Sequence, residues 1–268
     1  MKVILTGATG FIGNEVLRQL LQNPKISLIT VITRRPLPDE LGSPKIRQVI
    51  CKEELEWLEW GPSMMRWVDG SEACIWCIGG LPKSSPSTAA YITTTTSLPL
   101  SAARAFSPLA TLERKFRFLY LSTYHADVTE SKWRPFEKES AYLNGRTERA
   151  LFELTKNHPL QVQYELYTFR PGSVLDWMGQ VSGNGFCGKV GRLWVPTVPV
   201  RVLAKAMVDV AINGYSEPGI SIFFEHKEIL AKGYEAEQRE IEEKNQGGAA
   251  AAEQRKPERS RLKAMVKR

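Results

Sequence analysis

Three glycines near the N-terminus have a spacing that could bind phosphate groups. Gly7, Gly10 and Gly13 follow an apolar segment, residues 2–6, and open a segment whose apolar residues recur at helical spacing. Glycines in this arrangement permit a tight turn, a close approach of the backbone to a pyrophosphate, and close packing of a helix on a strand. The N-terminus of the following helix would add free N–H groups and a positive dipole end. Because it stands between a strand and a helix, the pattern predicts a dinucleotide-binding loop made of Thr6, Gly7, Thr9, Gly10, Phe11, Ile12 and Gly13.

Two arginines stand where the second strand of such a unit ends. The apolar segment 28–33 is followed directly by Arg34 and Arg35. An acidic residue at this position would hydrogen-bond the ribose hydroxyls of NAD, whereas a guanidinium pairs with a 2′-phosphate through two charge-assisted hydrogen bonds. The sequence therefore favours NADP(H) over NAD(H). The alternative is that both arginines are solvated surface residues and that the cofactor is NAD.

A tyrosine and an arginine four residues apart form a second candidate group. Tyr142 and Arg146 lie in a predicted helix, residues 140–156, and their spacing puts both on one face of it. Gly145 between them costs about 1 kcal/mol relative to alanine inside a helix. Two explanations stay open: a cofactor or a strand approaches the helix closely there, or the glycine is an imperfection near the first helical turn.

Apolar strands alternate with helical segments along most of the chain. This alternation predicts an α/β fold, a Rossmann-type doubly wound parallel sheet with helices on both faces. We expect one domain over residues 1–230 with a small C-terminal substrate lobe, in which the glycine-rich segment 173–199 covers the substrate. Residues 231–268 are predicted to be a charged helix or tail that is partly disordered. The strands are predicted at 2–6, 28–33, 46–51, 73–78, 116–122 and 163–170, and further helices at 64–70, 89–106 and 200–213.

Taken together, these segments resemble the short-chain dehydrogenase/reductase superfamily in its atypical and extended branches. Thr6–Gly13 resembles its cofactor signature, Leu119–Thr123 the strand that bears the catalytic serine, Tyr142–Arg146 its Tyr-x-x-x-Lys pair, and Phe169–Gly172 the Arg-Pro-Gly after the sixth strand. The resemblance spans residues 1 to about 230. The chain is most similar to the group of HIM-type and Tat-interacting proteins, with the NmrA-like branch as a neighbour.

The resemblance implies roles for the residues of the second group. Tyr142 would be the general acid/base, Ser122 or Thr123 the hydroxyl that orients the substrate oxygen, and Arg146 the clamp on the nicotinamide ribose that also tunes the acidity of the tyrosine. The family has lysine where this chain has Arg146, and the forked, bulkier guanidinium is not a silent replacement. Tyr124, which follows the strand end, is an alternative proton donor.

By the same resemblance, the chain is an oxidoreductase that passes hydride between NADP(H) and a carbonyl or alcohol. The arginine in the lysine position keeps two alternatives open. One is a redox-neutral isomerase or dehydratase that retains its bound cofactor, and the other is a non-catalytic NADP(H)-sensing regulator with a protein partner. Four aromatic residues near the expected substrate indicate a small apolar or aromatic substrate: Trp133, Trp177, Phe186 and Trp194.

Composition and charge exclude several other classes of protein. The formal net charge of the 268 residues is +7, and residues 250–268 hold seven Lys/Arg against two Glu, so most of the basicity belongs to the tail. A nucleic-acid partner is therefore not expected, although the tail leaves a nuclear address open. The apolar segments are too short to span a membrane and no signal peptide precedes the glycine loop, which predicts a cytoplasmic protein.

The cysteines do not have the pattern of a metal site or of a disulfide framework. Cys74 and Cys77 form one Cys-x-x-Cys, but no second ligand pair of comparable spacing accompanies it. The run Ala-Cys-Ile-Trp-Cys-Ile is continuously apolar, which is typical of a buried strand. We expect free thiols and no bound metal.

Overall fold

The fold is taken from a computed structural model of the chain. It describes residues 1–38, 42–80, 85–124, 126–127, 138–160, 163–176, 178, 195–215 and 222–265, with the backbone alone at residues 138 and 247–265. The strands are β1 (Lys2–Thr6), β2 (Leu28–Thr33), β3 (Ile46–Ile50), β4 (Ala73–Trp76), β5 (Phe116–Leu121), β6 (Tyr164–Phe169), β7 (Ser173–Leu175), β8 (Thr197–Pro199) and β9 (Ile222–Phe224). The α-helices are α1 (Phe11–Gln22), α2 (Glu54–Leu58), α3 (Pro62–Val68), α4 (Thr88–Ile92), α5 (Leu98–Phe106), α6 (Lys138–Lys156), α7 (Val200–Asn213) and α8 (His226–Met265).

The strands of the described residues build a parallel sheet of seven in the order β3-β2-β1-β4-β5-β6-β9. The pair β7 and β8, also parallel, stands apart from it. The predicted Rossmann-type doubly wound sheet is therefore confirmed. The strand order reverses between β1 and β4, and ligands of open parallel sheets bind in the crevice at the carboxyl ends of the strands at such a point.

Each face of the sheet is covered by its own apolar cluster, because side chains alternate between the faces along a strand. Val3 and Leu5 of β1 point to the layer of α1, α7 and α8, whereas Ile4 points to the layer that contains α5 and α6. The second layer is rich in aromatic side chains: Trp57, Trp76, Phe106, Phe116, Phe118, Tyr120 and Tyr164. Both faces of the central strands are thus buried, which explains why β1, β2 and β4 are nearly continuous apolar runs in the sequence.

A π-helical turn, Thr93–Ser97, interrupts the helix predicted at 89–106. The carbonyl of Thr95 accepts hydrogen bonds from Tyr120 Oη and Thr147 Oγ1, both at 3.2 Å. Single π-turns inside α-helices occur frequently at functional sites, and this one lies against α6.

Helix α8 begins at His226 and continues past residue 230, where the sequence prediction places the end of the Rossmann domain. Its first half packs closely on α7, since a Cβ at Gly233 would stand 2.4 Å from the carbonyl oxygen of Val202. Asp209 of α7 pairs with Arg239 at 2.8 Å and with Lys232 at 3.3 Å. The division at residue 230 stays a prediction, while residues 226–240 pack as part of the α/β body and residues 241–246 are exposed.

Candidate active site

The glycine loop is shaped by contacts that a side chain would prevent. Gly7 has a φ of 71°, and a Cβ there would lie 2.5 Å from the carbonyl oxygen of Cys77. A Cβ at Gly13 would lie 2.1 Å from the carbonyl oxygen of Gly7. At Gly10 the nearest atom to a Cβ would be Gly7 O at 3.2 Å, and the residue is exposed. Gly7 and Gly13 therefore form the turn itself, whereas Gly10 leaves space above it.

The N-terminus of α1 opens onto that space. Gly10 is the N-cap of α1, no side chain caps the helix, and its first turn contains no acidic residue. The N–H groups of this turn are therefore available to an anion. Thr6, next to the loop, is fully buried and its hydroxyl has no hydrogen-bond partner within the described part of the chain. The residues present fit the pyrophosphate of a dinucleotide.

Arg34 and Arg35 lie directly after β2 with exposed side chains. The turn that carries them is fixed by Thr33, whose hydroxyl donates to the carbonyl oxygen of Arg35 at 2.8 Å. This turn lies at the carboxyl edge of the sheet, beside β1 and its glycine loop. The structure thus places two exposed cations at the end of the strand next to the predicted cofactor loop.

Tyr142 and Arg146 are brought together on α6. The guanidinium carbon of Arg146 lies 5.6 Å from the centroid of the Tyr142 ring, within cation–π distance. Arg146 is exposed and Tyr142 is partly buried. The arginine therefore keeps a positive charge beside the phenol, as the family's lysine would, although it does so across the face of the ring.

A second face of α6 fixes the helix against its neighbours. Asn144 accepts a hydrogen bond from the Tyr120 hydroxyl at 3.0 Å, and its amide donates to the Ser140 carbonyl at 2.8 Å. Ser140 in turn accepts from the Tyr91 hydroxyl at 2.9 Å. These buried groups are all satisfied by one another, so they hold α6 in a single register against α4 and β5.

Gly145 is explained by the segment that follows β5. A Cβ at Gly145 would lie 2.6 to 2.8 Å from the backbone atoms of Asp127. The N–H of Asp127 also donates to the carbonyl oxygen of Ala141 at 3.0 Å. The close approach left open by the sequence is therefore real, and the approaching group is a loop rather than a strand or a cofactor. Tyr142, beside Ala141, is thereby held at the carboxyl edge of the sheet.

Ser122 directly follows β5, and its N–H donates to the carbonyl oxygen of Phe169, the residue before Arg170 of a buried ion pair. Arg170 donates through Nε to the two carboxylate oxygens of Glu148 at 3.0 and 3.2 Å, and its Nη2 also binds this carboxylate. Burial raises the pKa of Glu148, while Arg170 and Ser122 act in the opposite direction. The Ser122 hydroxyl is buried and makes no hydrogen bond of normal geometry to the described residues.

Arg170 of the Arg-Pro-Gly segment joins this pair to the C-terminal part of the sheet. Its Nη1 binds Glu225 at 2.6 Å, and its guanidinium carbon lies 4.8 Å from the centroid of the Phe223 ring. Sequence reasoning missed Glu148 and Glu225. The sequence did contain a signal for Glu148. Glu148 lies three residues after Gly145 and seven after Ala141, so it shares a helix face with these two small residues. An acidic residue on such a face indicates a buried carboxylate with a partner.

His226, the first residue of α8, was also missed. Its Nδ1 accepts the backbone N–H of Gly172 at 3.1 Å, and its ring lies 6.2 Å from that of Tyr124 with the planes nearly perpendicular. The bond requires an unprotonated Nδ1. Burial lowers the pKa of His226. The histidine therefore supports the turn after β6 in its neutral form.

Acidification is expected to destabilise the protein through His226. Since the folded pKa lies below the usual value of about 6.5, the contribution is present above that pH and is lost as the pH falls through the folded pKa. Protonation removes the acceptor for the Gly172 N–H, at a cost of about 1–3 kcal/mol. Urea unfolding between pH 7.5 and 5 should therefore show a flatter pH profile for His226→Asn than for the wild type.

His158 provides the matched control for this measurement. Its Nδ1 likewise accepts a backbone N–H, that of Leu160 at 3.1 Å, away from the candidate site. His158→Asn leaves His226 and its bond to Gly172 in place, so the pH dependence assigned to His226 should remain in this variant. An unchanged slope in His226→Asn would contradict the assignment.

Several predictions fall on other parts of the chain. Trp133, Trp177, Phe186 and Trp194 lie outside the described residues, as does most of the segment 173–199, whose two ends form β7 and β8. Cys74 is fully buried in β4, as the strand interpretation predicted, and burial raises the pKa of Cys77 to about 12. In the described part of the chain, no helix combines the length and the apolar character needed to cross a membrane.

Comparison with known proteins assigns the chain to a family. The sequence model of the NAD-dependent epimerase/dehydratase family matches residues 3–175, and the chain belongs to this family. Its fold and match agree with the resemblance to extended short-chain dehydrogenases/reductases. The narrower grouping with HIM-type or NmrA-like proteins stays a prediction.

Individual relatives are more distant or match only in part. Leucinostatins biosynthesis cluster protein T of Purpureocillium lilacinum is 36% identical over 122 residues, which are 46% of this chain and 42% of that protein. The match thus spans less than half the length of that relative. The structure of Gre2 of Candida albicans with NADPH has a TM-score of 0.59 at 16% sequence identity. The alignment covers 83% of this chain and 77% of Gre2. MoeE5, solved with UDP-glucuronic acid and NAD, has a TM-score of 0.60 at 14% identity, with 83% and 76% covered. The two structures show the fold.

Proposed function

We propose that this chain binds NADP(H) at residues 6–13 and passes hydride between it and a carbonyl or alcohol of a small apolar or aromatic substrate. One observation carries the proposal: a glycine cradle at the N-terminus of α1 and the Tyr142–Arg146 pair of α6 lie at the same edge of one parallel sheet. The cofactor, when bound, supplies or accepts the hydride. Tyr142 then gives or takes the proton at the substrate oxygen, and Arg146 holds the ribose and keeps positive charge beside the phenol.

The exposed arginines after β2 support NADP(H) over NAD(H). Arg34 and Arg35 are solvent-exposed and lie next to the strand that leads into the glycine loop. A 2′-phosphate offers them a bidentate, charge-assisted partner that the hydroxyl of NAD does not. The solved relatives were seen with either cofactor, so the choice rests on these side chains.

The family and one relative favour an enzyme over a regulator. The family is described by two activities, epimerase and dehydratase, and the partial relative from Purpureocillium lilacinum is named for a biosynthesis cluster. Biosynthetic clusters encode enzymes that modify small molecules, which fits a small-molecule substrate. A redox-neutral reaction and a cofactor-sensing role with a protein partner are the alternatives that the experiment must separate.

Titration with NADPH and NADH, followed by energy transfer from tryptophan, tests the cofactor assignment. Arg34→Gln combined with Arg35→Gln should weaken NADPH binding about 10- to 100-fold, because charge-assisted hydrogen bonds are lost, and leave NADH binding unchanged. The matched control is Arg66→Gln with Arg104→Gln, which removes the same charge from two exposed arginines of α3 and α5. An equal loss of affinity for NADPH and NADH in the double variant would contradict a 2′-phosphate contact. If the wild-type protein bound neither nucleotide, the assignment of the nucleotide site would be wrong.

Turnover tests the rest of the proposal. Oxidation of NADPH with a panel of aliphatic and aromatic aldehydes and ketones is expected for the purified protein. Tight NADPH binding without any hydride transfer would instead favour the redox-neutral or sensing alternative.

A further inference from the structure

Lys52 is an exposed cation at the carboxyl edge of the sheet that the proposed function does not use. It stands two residues after the end of β3, the strand that pairs with β2. The ladder between these strands continues past β3, since the N–H of Cys51 donates to the carbonyl oxygen of Thr33 at 2.9 Å. Lys52 therefore lies beside the turn that follows β2 and carries Arg34 and Arg35.

The backbone is fixed on both sides of Lys52. Cys51 is fully buried, and its carbonyl oxygen accepts a hydrogen bond from Trp57 Nε1 at 3.1 Å. Glu53 is the N-cap of α2 and forms a capping box with Glu56, whose carboxylate accepts the Glu53 N–H at 2.9 Å. Lys52 stands between these two anchors, so the sheet edge and α2 determine where its side chain starts.

The turn that carries the arginines is fixed against the same strand. The N–H of Leu37 donates to the side-chain carbonyl oxygen of Gln48 in β3 at 2.9 Å, and the Leu37 side chain is buried. Paired strands lie about 4.8 Å apart, a distance that the flexible four-carbon stem of a lysine spans. The Lys52 ammonium group can therefore reach the region in front of Arg34 and Arg35 without a change in the backbone.

Three positive charges thus meet at this edge of the sheet. Arg34, Arg35 and Lys52 are exposed, and none of them takes part in an ion pair with a residue that the structure describes. The carboxylates of Glu53 and Glu56, which follow Lys52, each accept a backbone N–H in the capping box. A phosphate monoester has a charge of about −1.5 to −2 at pH 7 and three acceptor oxygens, so its binding relieves the repulsion among the cations.

We propose that Lys52 is a specificity-determining residue that binds the 2′-phosphate of NADP(H) from the β3 side, while Arg34 and Arg35 bind it from the β2 side. The inference rests on the proposed function and adds a third phosphate ligand to the same site. An ammonium group has three donors and no acceptor. Lys52 therefore cannot accept the hydrogen bond that the 2′-hydroxyl of NAD donates to an acidic side chain in NAD-binding sites.

Titrations with NADPH and NADH, which differ only in the 2′-phosphate, test this role without any turnover. Lys52→Gln should weaken NADPH binding about 10-fold, as expected for one lost hydrogen bond to a charged group, and leave NADH binding unchanged. Lys52→Arg should keep the wild-type affinity for both. Lys25→Gln is the matched control, because Lys25 is an exposed lysine before the amino end of β2, at the opposite edge of the sheet.

Competition with adenosine 2′,5′-bisphosphate locates the effect on the molecule. This probe has the 2′-phosphate but no nicotinamide, so its affinity should fall in Lys52→Gln by the same factor as that of NADPH. An unchanged affinity for the bisphosphate would overturn the contact with the 2′-phosphate. The melting temperature should stay at the wild-type value, because the Lys52 side chain is exposed and has no ion pair among the described residues.

Charge reversal at the same position has a larger expected effect. Lys52→Glu removes one attraction and adds a repulsion, so NADPH affinity should fall about 100-fold. NADH affinity should be no lower than in the wild type, since a carboxylate can accept a hydrogen bond from the ribose hydroxyl. An equal loss of affinity for both nucleotides would contradict a role of Lys52 in choosing between them.

The outcomes separate this inference from the proposed function. Unchanged NADPH affinity in Lys52→Gln, or an equal loss in Lys25→Gln, would overturn the role of Lys52. The proposed cofactor would still stand if Arg34→Gln with Arg35→Gln weakened NADPH binding alone. If the wild-type protein bound NADPH and NADH equally well, the preference for NADP(H) in the proposed function would be wrong, and the role of Lys52 with it.

Discussion

Tyr142→Phe is expected to lower kcat for NADPH-dependent carbonyl reduction by about 10²- to 10⁴-fold, the usual contribution of a general acid. The substitution removes only the hydroxyl. The ring that carries the Arg146 guanidinium at 5.6 Å remains, and so do the packing contacts of α6. NADPH affinity and the melting temperature should therefore be close to those of the wild type, and stopped-flow absorbance at the nicotinamide band measures the lost step.

Two further tyrosines make this test specific. Tyr124 follows the end of β5 and packs against His226, and it is the alternative proton donor. A large loss of kcat in Tyr124→Phe, together with a normal kcat in Tyr142→Phe, would assign the role of proton donor to Tyr124. Tyr234→Phe, at an exposed position of α8, is the matched control and should have no effect. Unchanged turnover in all three variants would contradict acid catalysis by any of them.

Most of the sheet could be predicted because its signals are local. Strands buried on both faces are short apolar runs, and β1, β2 and α7 begin and end where the pattern places them. The seventh strand, Ile222–Phe224, was missed because three apolar residues are not a signal by themselves. It pairs with β6 only after α7 has crossed the sheet, so its existence depends on contacts distant in the sequence.

In the candidate site, too, the features that are local in sequence could be predicted and the contacts between distant residues could not. The glycine loop and the Tyr142–Arg146 spacing lie within a few residues and could be read from the sequence. The contact between Glu148 and Arg170 could not, because the two residues lie 22 apart in the sequence and meet only when α6 packs beside β6. Gly145 stands between the two cases: the sequence indicated an unusual position, and the fold supplied the loop at Asp127 that explains it.

Gly10→Val is expected to weaken NADPH binding at least about 100-fold while the protein stays folded. Gly10 has a φ of −86° and a ψ of 167°, an extended conformation that valine adopts readily. A Cβ there meets only Gly7 O, at 3.2 Å, so the added methyl groups occupy the space above the helix N-terminus. Displacing a pyrophosphate from two charge-assisted N–H bonds, each worth about 1.5 kcal/mol, gives this factor.

The matched control is Gly61→Val, because Gly61 is also an extended N-cap glycine, at α3, with no atom within 4 Å of a Cβ. Both variants lose the same N-cap preference, so any difference in NADPH affinity comes from the space that Gly10 keeps open. Gly13→Ala would not serve, since its Cβ would lie 2.1 Å from the Gly7 carbonyl and the turn itself would have to move. Wild-type affinity in a folded Gly10→Val variant would place the cofactor elsewhere and remove the basis of the proposed function.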